Sequence, residues 1–264
     1  MNTVLGQPGT AGILVILAGA LMVSLAGWLY AQYLAESRLL RQVAMQAAGP
    51  DLGHPERLLE RLNHWVYNNQ GFAKNPRFFL SPRLGPTPLQ VLDSGGDCAD
   101  KSMLLAAMLD ELGVPSTLVM LYSRDYAQPT HTVVETRLPN FRAAADPVFD
   151  LVFPDGQGGL LGVSQLQARH DLFLGRLAAL VQARGPTSKV SYYKSDSESY
   201  RWPRTINWGR MAATRLVGQA LGLVVSNPDL ISRPRLLAEP KLLVSLMLLG
   251  AGVLVLGGGW LLLR

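Results

Sequence analysis

The 264-residue sequence contains a single cysteine, Cys98, and only four histidines. One cysteine cannot form a disulfide within the chain, and it cannot build a cysteine-based zinc cluster. His54, His64 and His170 show no metal-ligand spacing, and neither a G-x-S-x-G elbow nor a phosphate-binding glycine loop is present. We therefore predict no metal and no cofactor. Cys98 is either an inert core residue or a nucleophile.

Charged residues are also few, at 16% of the chain, and the net charge is only +5. Lysines and arginines are scattered along the sequence, whereas nucleic-acid binding favours basic clusters. We therefore predict no nucleic-acid partner.

Two long runs contain no charged residue at all, at 13–34 and 242–263. About 20 apolar residues suffice for a helix to cross a bilayer core. The alternative for the first run is a cleaved signal peptide, but residues 1–12 lack the basic residues that such a leader needs. We predict a short tail at 1–12, transmembrane helices at 13–34 and 242–263, and one domain at 35–241.

The domain between these runs has the pattern of an α+β fold. Periodic apolar residues predict helices, and β-branched and aromatic content predicts strands. Glycines and prolines predict irregular structure at 70–88, and polar residues predict a surface loop at 186–200. The predicted helices are 55–67, the stretch after Asp97 up to Gly113, 164–183 and 207–225, and the predicted strands are 116–123, 130–138 and 147–153. A helix followed by consecutive strands suggests a helix packed on an antiparallel sheet.

Cys98 falls at the first turn of its predicted helix, and only Asp97 separates it from the glycine pair 95–96. Backbone N–H groups and the helix dipole stabilise a thiolate at this position. A nucleophilic thiol also needs a base and a group that orients the base. His131 lies on the second predicted strand and Asp146 precedes the next, so the three side chains can line up. Burial of Cys98 as a small apolar residue remains the alternative.

The run GGDCADKSMLLAAMLDELGVPSTLVM, followed by HTVVE and ADP, resembles the core of the transglutaminase-like superfamily, whose fold is related to that of papain. The resemblance covers residues 85–153. It implies a catalytic triad of Cys98 as nucleophile, His131 as base and Asp146 as orienting group. The family often has an aromatic residue two positions after the histidine, where this chain has Val133, so the substrate groove is expected to differ.

The resemblance implies a cysteine-dependent amide or peptide hydrolase, or an acyltransferase, that acts on a peptide or protein substrate through a thioester at Cys98. It favours a peptidase or amidase over a crosslinking enzyme. The alternative is a silent scaffold domain in an envelope or polysaccharide-assembly complex of other membrane proteins. The backbone N–H of Cys98 is expected in the oxyanion hole, with Gln70 or Gln90 as a second donor. Asp97 and Asp100 are interpreted as residues that cap the helix of Cys98, and Glu135 as an ion-pair partner.

The resemblance also implies a bacterial plasma membrane as the location. The side of the membrane stays open, because two arguments disagree. Flanking basic residues tend to remain in the cytoplasm, and they lie on the domain side of both runs, at Arg38, Arg41, Arg233, Arg235 and Lys241. Proteins that resemble this chain mostly hold the domain in the periplasm.

Overall fold

The computed structural model describes residues 8–123, 129–185, 202–208 and 212–263. The helices are α1 (Pro8–Ala48), α2 (Pro55–Asn68), α3 (Pro88–Ser94), α4 (Cys98–Glu111), α5 (Val163–Ala168), α6 (His170–Arg184), α7 (Ala212–Gly222) and α8 (Pro240–Leu262). The strands are β1 (Ser116–Tyr122), β2 (Pro129–Arg137), β3 (Arg142–Asp146), β4 (Leu151–Val152) and β5 (Pro203–Arg204). They form one antiparallel sheet in the order β4-β3-β2-β1-β5, which confirms the predicted α+β class.

The third predicted strand, 147–153, is wrong in its first half. Only Leu151 and Val152 pair in the sheet, and the residues before them form a turn. Asp146 ends β3 and its carboxylate accepts the N–H groups of Val148 and Phe149, which stabilises a turn rather than an extended strand. The strand β3 itself is an alanine run and lacks the β-branched residues by which strands are recognised.

Helix α4 forms the centre of the domain. Every residue from Lys101 to Leu109 is buried, because α4 packs on β1 and β2 with one side and on α1, α2 and α3 with the other. A helix covered on both sides needs apolar residues all round, which its MLLAAML core provides. The first turn of α4 reaches the edge of this core, and Cys98 there is only partly buried.

Helices α1 and α8 are each long and apolar enough to cross a membrane, and they pack against each other. Glycines allow the close approach: a Cβ at Gly19 would lie 3.0 Å from the carbonyl oxygen of Gly252, and one at Gly259 would lie 3.0 Å from the backbone nitrogen of Ile16. Outward-facing leucines such as Leu21 and Leu254 are 70% and 77% exposed.

Helix α1 does not end with its apolar run. It continues without interruption to Ala48, and Leu40, Ala44 and Ala48 belong to the buried core of the domain. The position 34/35 at which we divided anchor from domain is therefore inside one helix. Polar contacts fasten the same region, since Ser37 donates to Glu111 at 2.5 Å and Glu111 pairs with Arg235.

Of the three remaining predicted helices, one is confirmed and two have different bounds. Helix α2 confirms the prediction for 55–67. The predicted helix 164–183 is two helices, α5 and α6, which meet at Arg169, whose φ of −122° is not helical. Helix α7 covers the middle of the predicted 207–225, of which 209–211 lie outside the described residues, as does the predicted 186–200 loop.

Candidate active site

The start of α4 is fixed by a reciprocal cap. The Asp97 carboxylate accepts the N–H groups of Ala99 and Asp100 at 2.9 and 3.2 Å, and the Asp100 carboxylate accepts the N–H of Asp97 at 3.3 Å. The N–H of Cys98 is not among the donors of this cap. The prediction that Asp97 and Asp100 serve as capping residues is confirmed.

The Asp100 carboxyl has a pKa raised to about 6. Burial is the largest cause, followed by the charge of Asp97, while hydrogen bonds from the backbone of Asp97 and Asn75 oppose the rise. The first turn of α4 therefore gains negative charge as the pH rises through this range.

His131 lies on β2 beside the first turn of α4 and is 4% exposed. Its Nε2 lies 2.7 Å from Oδ2 of Asp146, and the imidazole also hydrogen-bonds the Cys98 side chain. Since Nε2 faces Asp146, Nδ1 is the nitrogen left for the thiol. The structure thus brings together the three residues that the sequence singled out, in the order thiol, imidazole and carboxylate.

The surroundings of His131 favour its protonated form. Burial lowers its pKa, but the charge of Asp146 and the hydrogen bonds with Asp146 and Cys98 outweigh burial and raise the pKa above its ordinary value. A protonated imidazole beside the sulfur stabilises a thiolate by charge attraction.

Asp146 is fully buried and uses both carboxylate oxygens. Oδ2 faces His131, while Oδ1 accepts the N–H groups of Val148 and Phe149 at 2.9 and 3.3 Å. The same Phe149 lies edge-on to the imidazole, with ring centroids 5.6 Å apart. Phe149 was missed from the sequence, because it was assigned to a strand, and it limits how the imidazole can rotate.

A glycine turn brings a second segment against the start of α4. Gly95 has a φ of 73°, and a Cβ there would lie 2.6 Å from the carbonyl oxygen of Gly71. Next to it, Gly96 pairs with Phe72 in an isolated bridge. Residues 70–72 thereby form a wall against Gly95 and Gly96, which precede Cys98 by three and two residues. Only glycine permits so close an approach of two backbones.

This packing distinguishes the two candidates for the second oxyanion donor. The Cβ of Gln70 would lie 3.0 Å from a Cβ at Gly95, so Gln70 is next to the turn that precedes Cys98. The amide oxygen of Gln90, in contrast, accepts the N–H of Thr87 in the cap of α3. Of the two residues, Gln70 is the one whose Cβ lies against the turn before Cys98.

Two buried polar residues that the sequence analysis missed hold this wall. Lys101, 2% exposed, donates to the carbonyls of Val66, Tyr67 and Asn69 at 2.8, 3.1 and 2.9 Å, and so caps the end of α2 directly before Gln70. Asn75 donates to the carbonyls of Gln90 and Gly95 at 3.3 and 2.6 Å. For Lys101, the sequence does contain a signal of this buried role, namely a lysine inside an otherwise apolar helix.

The other sequence candidates lie outside the site. Glu135 pairs with Arg142 at 3.0 Å and accepts the N–H of Val163, so its predicted role as an ion-pair partner is confirmed. Val133 is fully buried in the core with Phe173 and Leu166. It does not line a groove, which corrects our expectation that this departure from the family pattern alters one.

Comparison by sequence finds no matching family model and no matching curated protein. Among solved structures, the chain is similar to the crystal structure of a "putative cysteine protease" from Cytophaga hutchinsonii, with 19% identity and a TM-score of 0.34. The similarity covers 48% of this chain and 41% of that protein, so this chain matches less than half of its length. A TM-score this low supports no inference about this chain, so the interpretation of the site rests on its geometry alone.

Proposed function

We propose that the protein is a membrane-anchored, cysteine-dependent amide hydrolase or acyltransferase of the transglutaminase-like type, with Cys98, His131 and Asp146 as its triad. The observation that carries the proposal is the buried His131, placed between the Asp146 carboxylate and a thiol at a helix N-terminus. A structural cysteine has no need of a polarised imidazole beside it.

In the proposed reaction the Cys98 thiolate attacks the carbonyl carbon of a peptide or isopeptide bond. The negative charge that forms on the carbonyl oxygen is stabilised by the N–H of Cys98 and the side-chain amide of Gln70. The C–N bond then breaks, the amine leaves with the proton of His131, and a thioester remains on Cys98. Water, or a second amine, attacks the thioester while His131 takes up its proton, which releases the acyl group and restores the thiolate beside a protonated His131.

Asp146 serves this cycle without exchanging a proton. Its Oδ2 fixes the ring orientation through Nε2 and stabilises the imidazolium, and the N–H groups of Val148 and Phe149 hold the carboxylate in place. The raised pKa of His131 keeps the imidazole protonated at neutral pH, ready to protonate the leaving amine.

Anchoring in a membrane is supported by the outer surface of α1 and α8. Leucines on both helices face outward over the uncharged runs, and such a surface is stable in lipid and unfavourable in water. Lys241 and Glu36, which pair at 2.5 Å, lie just outside the two runs on the domain side. We place the bilayer around 13–34 and 242–263.

The test is to trap the thioester. Purified protein is mixed with a library of peptide p-nitroanilides, quenched in acid, and measured by intact mass. We expect an acyl adduct that hydroxylamine removes and that disappears in Cys98→Ala, the chain's only cysteine, and in His131→Ala. His54→Ala is the matched control, since His54 is exposed and makes no side-chain cap bond. A thiol that reacts with iodoacetamide yet forms no adduct with any peptide would instead support the scaffold role.

A further inference from the structure

Residues 77–84 form an ordered loop at the base of the domain, which we call the 77–84 loop. Its backbone closes on itself, since the N–H of Phe79 donates to the carbonyl of Gly85 at 2.8 Å and the N–H of Leu84 to that of Ser81 at 3.1 Å. The loop follows the wall of the site: Asn75, two residues before it, donates to the carbonyl of Gly95 at 2.6 Å.

The loop lies at the level where both apolar helices leave their uncharged runs. The Phe79 ring centroid is 5.8 Å from Nζ of Lys241, the residue directly before the run in α8. The same Nζ donates to Gln32 at 3.2 Å and to Glu36 at 2.5 Å, at the end of the run in α1. In a chain anchored by these helices, this level is that of the lipid headgroups.

Two large apolar side chains on either side of Phe79 are turned outward. Phe78 is 45% exposed and Leu80 is 69% exposed. Leu80 also has a φ of 59°, in the left-handed region that a leucine adopts only at a cost. Because most of its side chain is exposed, packing within the domain offsets little of that cost.

We propose that the 77–84 loop inserts Phe78 and Leu80 into the headgroup region of the bilayer that holds α1 and α8. Arg77 and Arg83 flank the tip, and Arg77 also pairs with Asp93 at 3.3 Å. Cationic side chains at this position suit the anionic headgroups of such a surface. The domain then rests on the membrane at a third point, and the wall formed by residues 70–72 is tied through Asn75 to that contact. This inference rests on the proposed membrane anchoring.

The experiment uses the full chain with Cys98→Ser as background, so that each added cysteine is unique. Leu80→Cys, Met247→Cys and Leu52→Cys are each labelled with an environment-sensitive fluorophore and reconstituted in nanodiscs that hold one chain each. Met247, 64% exposed and the sixth residue of the run 242–263 in α8, reports on the anchor. Leu52, an exposed leucine just past the end of α1, is the matched control. The part of α1 from Glu36 to Ala48 is about 18 Å long, and it separates Leu52 from the level of the headgroups.

Lipids that carry a nitroxide near the headgroup are expected to quench the label at Leu80, and lipids with a nitroxide deep in the acyl chain to quench the label at Met247. Leu52 is expected to keep its emission in both. Phe78→Cys gives a second reading of the loop in case the Leu80 variant unfolds, which its thermal unfolding curve shows. Quenching at Met247 without quenching at Leu80 or Phe78 overturns the loop contact alone. Absence of quenching at Met247 overturns the anchoring, and the loop contact with it.

Discussion

The Asp146 carboxylate lies 2.7 Å from the His131 imidazole, and both side chains are buried. A buried carboxylate and a buried imidazole stabilise each other only as a pair, since either one alone would leave a polar group without water. Their pairing places Nδ1 of His131 toward Cys98, at the point where the dipole of α4 favours an anion.

Removing the thiol or the imidazole should abolish turnover, whereas removing the charge of Asp146 should leave a remainder. In the proposed reaction Cys98 and His131 take part in bond making, while Asp146 orients and stabilises. We expect no detectable activity for Cys98→Ala and His131→Ala, and a kcat lowered by about 100- to 10,000-fold for Asp146→Asn. Single-turnover kinetics on a peptide identified by thioester trapping measures this. Full turnover in His131→Ala would show that another group acts as the base.

The pH profile should report the influence of Asp146 on His131. The pKa of His131 is raised, so the imidazolium persists through neutral pH and is lost only on the alkaline side. In Asp146→Asn the raising charge is gone while burial, which lowers the pKa, remains. The alkaline limb of kcat/KM should therefore move toward lower pH by about 1 to 3 units. Glu135→Gln removes a carboxylate from the same strand without touching His131 and should leave the limb unchanged.

The raised pKa of His131 also makes the stability of the folded protein depend on pH. A raised pKa means that the pair contributes its full stabilisation below the ordinary histidine pKa of about 6.5. That contribution is then lost as the pH rises through the raised pKa. Asp146→Asn should thus lower the midpoint of denaturant unfolding more at neutral pH than in alkaline solution.

The sequence was informative where local chemistry decides the structure. The helix that begins at Cys98, with Asp97 as its cap, could be read from the capping pattern and the apolar run. Strand β3 could not, because Ala143, Ala144 and Ala145 become a strand only through pairing with β2. Tertiary pairing overrode propensity there.

The wall formed by residues 70–72 could not be predicted from the sequence for a related reason. Gly95 and Gly71 meet across 24 residues of chain, and the sequence gives no sign that two backbones approach there. Likewise, a lysine in a helix is read as a solvated residue, although Lys101 is buried by its bonds to the end of α2. Contacts between distant segments, not local patterns, decide both.

Lys101→Met should destabilise the protein although methionine fills a similar volume. Three carbonyls at the end of α2 would lose their donor inside the protein. We expect a loss of about 2–4 kcal/mol in the free energy of unfolding. Lys74→Met, at an exposed position, should change it by less than about 0.5 kcal/mol. Equal effects of the two substitutions in urea titrations would mean that the carbonyl cap contributes nothing.

Gly95→Ala should disturb the wall beside Cys98. The added Cβ would meet the carbonyl oxygen of Gly71 at 2.6 Å, and the φ of 73° is itself unfavourable for alanine. We expect a destabilisation of about 1–3 kcal/mol together with a lowered kcat/KM. Gly53→Ala, where a Cβ would meet nothing within 4 Å, is the control and should have wild-type activity. Wild-type kinetics in Gly95→Ala would show that residues 70–72 do not shape the site.

The side of the membrane that holds the domain can be settled with an exposed cysteine. Arg38 and Arg41 are exposed on α1 just beyond the first apolar run, and basic residues at this position resist export, so we expect the domain in the cytoplasm. In the Cys98→Ser background, Leu52→Cys should react with a membrane-impermeant maleimide only after the cells are lysed. Met247→Cys, inside the proposed bilayer, should stay unlabelled before and after lysis. Labelling of Leu52→Cys in cells whose outer membrane alone is permeabilised would place the triad in the periplasm, and the flanking charges would then not determine the orientation.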